Sequence, residues 1–73
     1  MGPGLKQQQT VRILTTRPLK VSWFGLGYQS LSLRGTTGIV RRRCRGLISV
    51  RITHPKHGWE GEATLERSEL EPT

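Results

Sequence analysis

Cys44 is the only cysteine in this chain. It excludes an internal disulfide, and with it the stapled scaffold of a small secreted domain. An iron–sulfur cluster takes four thiolates, so this chain cannot hold one alone. The two histidines, His54 and His57, share the turn His54-Pro55-Lys56-His57-Gly58. With no cysteine pair beside them they do not form a zinc set, and they are read as solvated turn residues. No base or orienting partner for Cys44 can be identified, so it is not read as a nucleophile. Long apolar runs are missing too: nothing approaches the ~20 residues of a membrane span. The opening Met1-Gly2-Pro3-Gly4-Leu5-Lys6 has no apolar stretch of the signal-peptide kind. These absences predict a soluble, intracellular protein without a membrane span.

Acidic residues are absent before position 60, where eleven of the twelve lysines and arginines lie. All five acids, Glu60, Glu62, Glu66, Glu69 and Glu71, fall in the last fourteen residues beside Arg67, and the net charge is +7. The glutamates are read as a solvated tail, not an acid–base pair. A basic body of this kind attracts nucleic acid, an acidic protein or an anionic membrane surface, and it also serves plain solubility. Its densest part is Arg41-Arg42-Arg43-Cys44-Arg45. Arginine contacts phosphates and carboxylates bidentately. Trp23, Phe24, Tyr28 and Trp59 are the only aromatic residues and must serve both core and surface. Arg41, Arg42, Arg43 and Arg45 with Trp23, Phe24 and Tyr28 are therefore the candidate partner-binding residues, and RNA or single-stranded DNA is one partner they suit. Gly35-x-x-Gly38 is followed by neither Gly-Lys-Ser/Thr nor a helix, so it reads as a tight turn and not a phosphate loop.

Alternation of apolar and polar residues is what the sequence has in quantity. It predicts strands at Thr10-Val11-Arg12-Ile13, Leu19-Lys20-Val21-Ser22-Trp23, Leu31-Ser32-Leu33-Arg34, Ile48-Ser49-Val50-Arg51-Ile52-Thr53 and Ala63-Thr64-Leu65. Ser68-Glu69-Leu70 reads as one helical turn, and no longer helix is expected. Five short strands with short connections predict an all-β fold, a small SH3-like antiparallel barrel closed so that its edges are not exposed. Residues 1–9 read as a flexible lead-in and 10–73 as the barrel domain. A domain this small buries only ~60% of its unfolded surface, so a partner subunit is the expected source of added stability.

The order of these segments resembles a known family. Thr10-Val11-Arg12-Ile13 is followed by Pro18-Leu19-Lys20-Val21, then by Leu31-Ser32-Leu33-Arg34-Gly35-Thr36-Thr37-Gly38-Ile39-Val40, and last by Ala63-Thr64-Leu65-Glu66-Arg67-Ser68-Glu69-Leu70-Glu71. That succession resembles the variable chain of ferredoxin–thioredoxin reductase. More distantly, it is similar to the SH3-like accessory chain of photosystem I and its counterparts elsewhere in photosynthetic electron transport. The resemblance implies a non-catalytic subunit in a heterodimer. The catalytic subunit of the reductase would then hold the [4Fe–4S] cluster and the redox disulfide, with ferredoxin and thioredoxin as indirect partners. No cofactor would be bound by this chain. It further implies a cyanobacterial cytoplasm or a plastid stroma. Two other readings stand beside it: an RNA- or ribosome-binding SH3-like module using Arg41–Arg45, and an accessory subunit of another photosynthetic complex.

Overall fold

In four of the five alternating runs a strand forms with its apolar set on one side. The computed structural model describes residues 8–73, which form seven strands: β1 (Thr10–Ile13), β2 (Leu19–Trp23), β3 (Gly27–Leu31), β4 (Thr37–Cys44), β5 (Leu47–Thr53), β6 (Glu60–Glu66) and β7 (Leu70–Pro72). A single 3-10 turn, Arg67–Glu69, separates the last two. The fold is all-β, as the sequence predicts. Residues 1–7 of the expected lead-in lie outside the described residues. Gln8 and Gln9 exchange backbone hydrogen bonds with Val40 (2.7 and 2.9 Å).

All pairings are antiparallel, in the order β3-β2-β6-β5-β4-β1-β7. The ladder does not close into the expected barrel: among the described residues no pairing joins β3 to β7, and these two strands are its edges. The two strands beyond the expected five have physical reasons. β4 forms because the arginine run pairs with β5 through a two-residue turn, although its own pattern is not apolar. β7 is a three-residue strand laid on β1 after the 3-10 turn, too short for alternation to reveal. The third run is displaced as well: Gly27–Leu31 form the strand, while Leu33 is buried in the connection after it.

One face of the sheet carries the core. Val11 and Ile13, Leu19, Val21 and Trp23, Val40, Ile48, Val50 and Ile52, Ala63 and Leu65, and Leu70 are all buried, with Leu33 among them. Period-two geometry requires this set to share a side. Two glycines let the strands approach closely. A Cβ on Gly38 would lie 2.5 Å from Val50 Cγ1 and 2.7 Å from the Arg51 carbonyl oxygen. A Cβ on Gly61 would strike the Ser22 carbonyl oxygen and come within 2.7 Å of Trp23 Cε3. Gly61 faces Trp23 where β2 meets β6, a contact of only two residue pairs, so that junction depends on the missing side chain.

The 3-10 turn is fixed by Glu69. Its carboxylate accepts from Arg17 Nε (2.5 Å) and Nη2 (2.8 Å) and from the Glu66 amide (2.9 Å). The Glu69 carbonyl accepts from the Leu14 amide (2.8 Å), which ties the β1–β2 connection to the turn. Chiefly through the Arg17 bond, the Glu69 carboxyl is pulled down to about 2.

Two outcomes follow for stability. Ile52→Ala is expected to cost about 2–4 kcal/mol, and Gly61→Ala about 1–3 kcal/mol, both read from urea denaturation. A Gly61→Ala midpoint equal to wild type would show that the β2–β6 junction is not tight. The folded-state carboxyl of Glu69 lies below its ordinary 4.5. Its contribution is therefore complete above about pH 4.5 and disappears as pH falls toward about 2. Glu69→Gln should lower the melting temperature at neutral pH and flatten the acid limb of the stability profile.

Candidate functional site

The glutamates do not form a tail. β6, the 3-10 turn and β7 return them to the sheet, where three neutralise arginines: Glu71 with Arg12 (3.7 Å), Glu69 with Arg17, and Glu60 with Arg51. None of these reaches the arginine run. Among the described residues, Arg34, Arg41, Arg42, Arg43 and Arg45 enter no ion pair. The basic character of the sequence is thereby concentrated on β4 and its turn.

A β-bulge decides how that charge is presented. Val40 opposes Val50 and Arg42 opposes Ser49, which leaves Arg41 as the extra residue. Val40 and Val50 face the core, so Ser49 and Arg42 face outward. Without the bulge, Arg42 would stand opposite the buried Ile48 and its charge would be directed toward the core side. Arg43 takes that position instead, near the strand end, where it remains exposed. Arg45 and Gly46 form the two-residue turn into β5, with φ of +53° and +80°. Both central residues in the left-handed region define a type I′ hairpin turn, whose twist matches the strands it joins. Cys44, beside the turn, is exposed.

The second exposed feature is apolar. β2 and β3 form a hairpin whose tip carries Phe24 (50% exposed) and Leu26 (58%), with Tyr28 (71%) just below. Arg51 lies over the Phe24 ring (5.5 Å) and Lys20 over the Tyr28 ring (4.9 Å). The Phe24 amide donates to the Glu60 carbonyl (2.8 Å), which places the tip beside the β5–β6 connection and Trp59.

That connection is braced by His54, which is buried and not solvated as the turn composition suggests. His54 Nδ1 accepts from the amides of Lys56 (3.0 Å) and His57 (3.2 Å). Its own amide and carbonyl bond to the Trp59 carbonyl and the Gly58 amide (2.7 and 3.0 Å). The ring sits 5.1 Å from Trp23 and 5.3 Å from Trp59, while His57 stacks on Trp59 at 4.2 Å. Burial, then the nearby His57 and Lys56, lower the His54 pKa, so the neutral acceptor is the favoured form.

The sequence-predicted residues are thus divided. Arg41, Arg42, Arg43 and Arg45 are brought together and exposed; Phe24 and Tyr28 are exposed on the neighbouring hairpin. Trp23 is not a stacking surface: it is 2% exposed, and its Nε1 donates to Gln29 Oε1 (3.0 Å). Its place in the Leu19-Val21-Trp23 alternation is the signal that assigns it to the core. Leu26 is a surface residue that the sequence reading does not single out, whereas Trp59, one of the four aromatics read as available for stacking, is 37% exposed. Leu26, between two glycines in a turn, carries the signal of an apolar residue with no strand to bury it. Among the described residues no group of three or more His, Cys, Asp or Glu could hold a metal ion, and no helix is long and apolar enough to cross a membrane. Comparison with protein-family models, curated proteins and solved structures returned no match.

His54 supplies a pH signature. A histidine whose folded pKa is lowered contributes stability that is fully present above its ordinary 6.5. That contribution is lost as pH falls from there through the folded value. Thermal melts from pH 8 to 5 should show this decline in wild type, and His54→Ala should reduce it while lowering stability throughout. An unchanged slope in the variant would mean that the loop is not braced through this ring.

Proposed function

We propose that this chain is a non-catalytic subunit that docks onto a ferredoxin-linked catalytic chain, in the manner of the variable chain of ferredoxin–thioredoxin reductase. The observation that carries the reading is the apolar tip of the β2–β3 hairpin. Phe24 and Leu26 are exposed there, yet the tip is fixed to the start of β6 by the Phe24–Glu60 backbone hydrogen bond and to β5 by Arg51 over the Phe24 ring. A rigid apolar projection loses little entropy on binding, which is the character of an interface anchor.

The segments that carry the family resemblance serve the scaffold. Leu33, Val40, Ala63, Leu65 and Leu70 fill the core, Gly38 permits the approach of β4 to β5, and Glu69 holds the 3-10 turn. They build the all-β scaffold, while the docking itself rests on the hairpin tip. In this reading the [4Fe–4S] cluster and the redox disulfide belong to the partner, since Cys44 alone can supply neither. The compartment would be a cyanobacterial cytoplasm or a plastid stroma.

The test is co-expression with an iron–sulfur catalytic chain and co-purification of the brown complex. Leu26→Asp or Phe24→Asp should weaken association at least roughly 10-fold, as losing an interface anchor does. Replacing Arg41, Arg42 and Arg43 together by Glu should leave the complex assembled. Failure of the wild-type chain to associate with any such catalytic chain would overturn the proposal.

A further inference from the structure

We propose that the outward face of the sheet also binds single-stranded nucleic acid, in a groove that runs from Tyr28 to Arg42. Two shallow concavities of about 430 and 390 Å³ lie on this face, and Ser49, Glu62 and Thr64 line both. They adjoin at these three residues, and the groove is the two taken together. Lys20 and Tyr28 stand at one end and Arg42 at the other. It crosses five adjacent strands, β3 to β4, a span of ~19 Å at ~4.8 Å per strand. That length suits a few extended nucleotides.

Each part of the groove has a counterpart in such a ligand. Arg42, aimed outward by the bulge and free of any ion pair, supplies phosphate contact at one end, and Lys20 supplies it at the other. Tyr28 is 71% exposed with the Lys20 ammonium over its ring, so it offers a supported face on which a base can stack. The hydroxyls of Ser49 and Thr64 lie between the charged ends. Glu62, which accepts from the Ser49 hydroxyl (3.3 Å), is the one carboxylate on the floor. It repels phosphate but accepts hydrogen bonds, which suits the amino edge of a base turned inward. An acidic peptide fits less well, because its carboxylates would meet Glu62 and it would leave Tyr28 unused. A duplex fits poorly, since a shallow sheet face offers nothing that enters a groove of DNA. This surface is distinct from the hairpin tip at Phe24 and Leu26, and the proposal does not depend on the reductase reading.

The test is fluorescence anisotropy with labelled ten-nucleotide single-stranded RNA and DNA, titrated across a salt series. The folding of each variant is checked by circular dichroism. Wild type should bind, with affinity falling linearly in the logarithm of salt concentration. Arg42→Glu should weaken binding roughly 10-fold or more and reduce that slope. Tyr28→Ala should weaken it roughly 5- to 100-fold while leaving the slope unchanged, the mark of lost stacking. Arg34→Glu, an unpaired charge outside the groove, should have a much smaller effect than Arg42→Glu. Three results would each overturn the proposal: no wild-type binding at low salt, equal losses for Arg34→Glu and Arg42→Glu, or a Tyr28→Ala variant that binds as wild type does. Tighter binding of a polyglutamate peptide than of either oligonucleotide would assign the groove to acidic protein instead.

Discussion

Among the described residues no helix covers the sheet, so it can bury one face only by curving onto itself, and much of the molecule follows from that constraint. Thirteen apolar residues share the inner side. Curvature strong enough to bring them together requires strands to approach more closely than side chains allow, and Gly38 and Gly61 stand where β4 meets β5 and β2 meets β6. The core is small, so the cost of any void or overlap is a large share of the total stability. The outer side is left without a structural duty and is free to carry charge and aromatic surface.

That division explains why the fold is more legible in the sequence than the surface. Val11 and Ile13, Leu19 to Trp23, and Ile48 to Ile52 announce themselves because burial on one side imposes a period of two. β3 is an edge with four of its five residues exposed, so no such rule acts on it and its strand is invisible in the pattern. β4 is hidden for another reason. Its second half is arginine, held in the ladder by Leu47–Thr53 across the hairpin, and the outward aim of Arg42 depends on a bulge that residue composition does not encode. The histidines mislead because their turn is polar in composition. Backbone amides folded inward around His54 make it an acceptor within the structure, and nothing in a Pro-Gly turn announces that.

Charge shows the same separation between sequence and space. Along the chain, bases and acids occupy different segments and suggest a basic body with an acidic tail. In the fold the acids reach back to Arg12, Arg17 and Arg51, and the long-range pairs reinforce the closure of the C-terminal segment on the sheet. Exposed pairs of this kind contribute little stability singly. Their larger effect is on the field: they offset Arg12, Arg17 and Arg51 and leave the arginines of β4 and its turn as the densest uncancelled charge.

The arginine strand has a further consequence, for aggregation. Among the described residues, β1 pairs with β4 only as far as Ile39, and Gln8 and Gln9 bond to Val40. Beyond that point β4 is paired, among the described residues, on the β5 side alone, and a strand edge of that kind is one that recruits strands from other molecules. Arginines at 41, 42, 43 and 45 make any second copy approaching that edge meet a repulsive field. Positive charge there works as a guard as well as serving the binding surface proposed above. Neutralising it with a polyanion would remove both functions at once, leaving an edge competent to add strands.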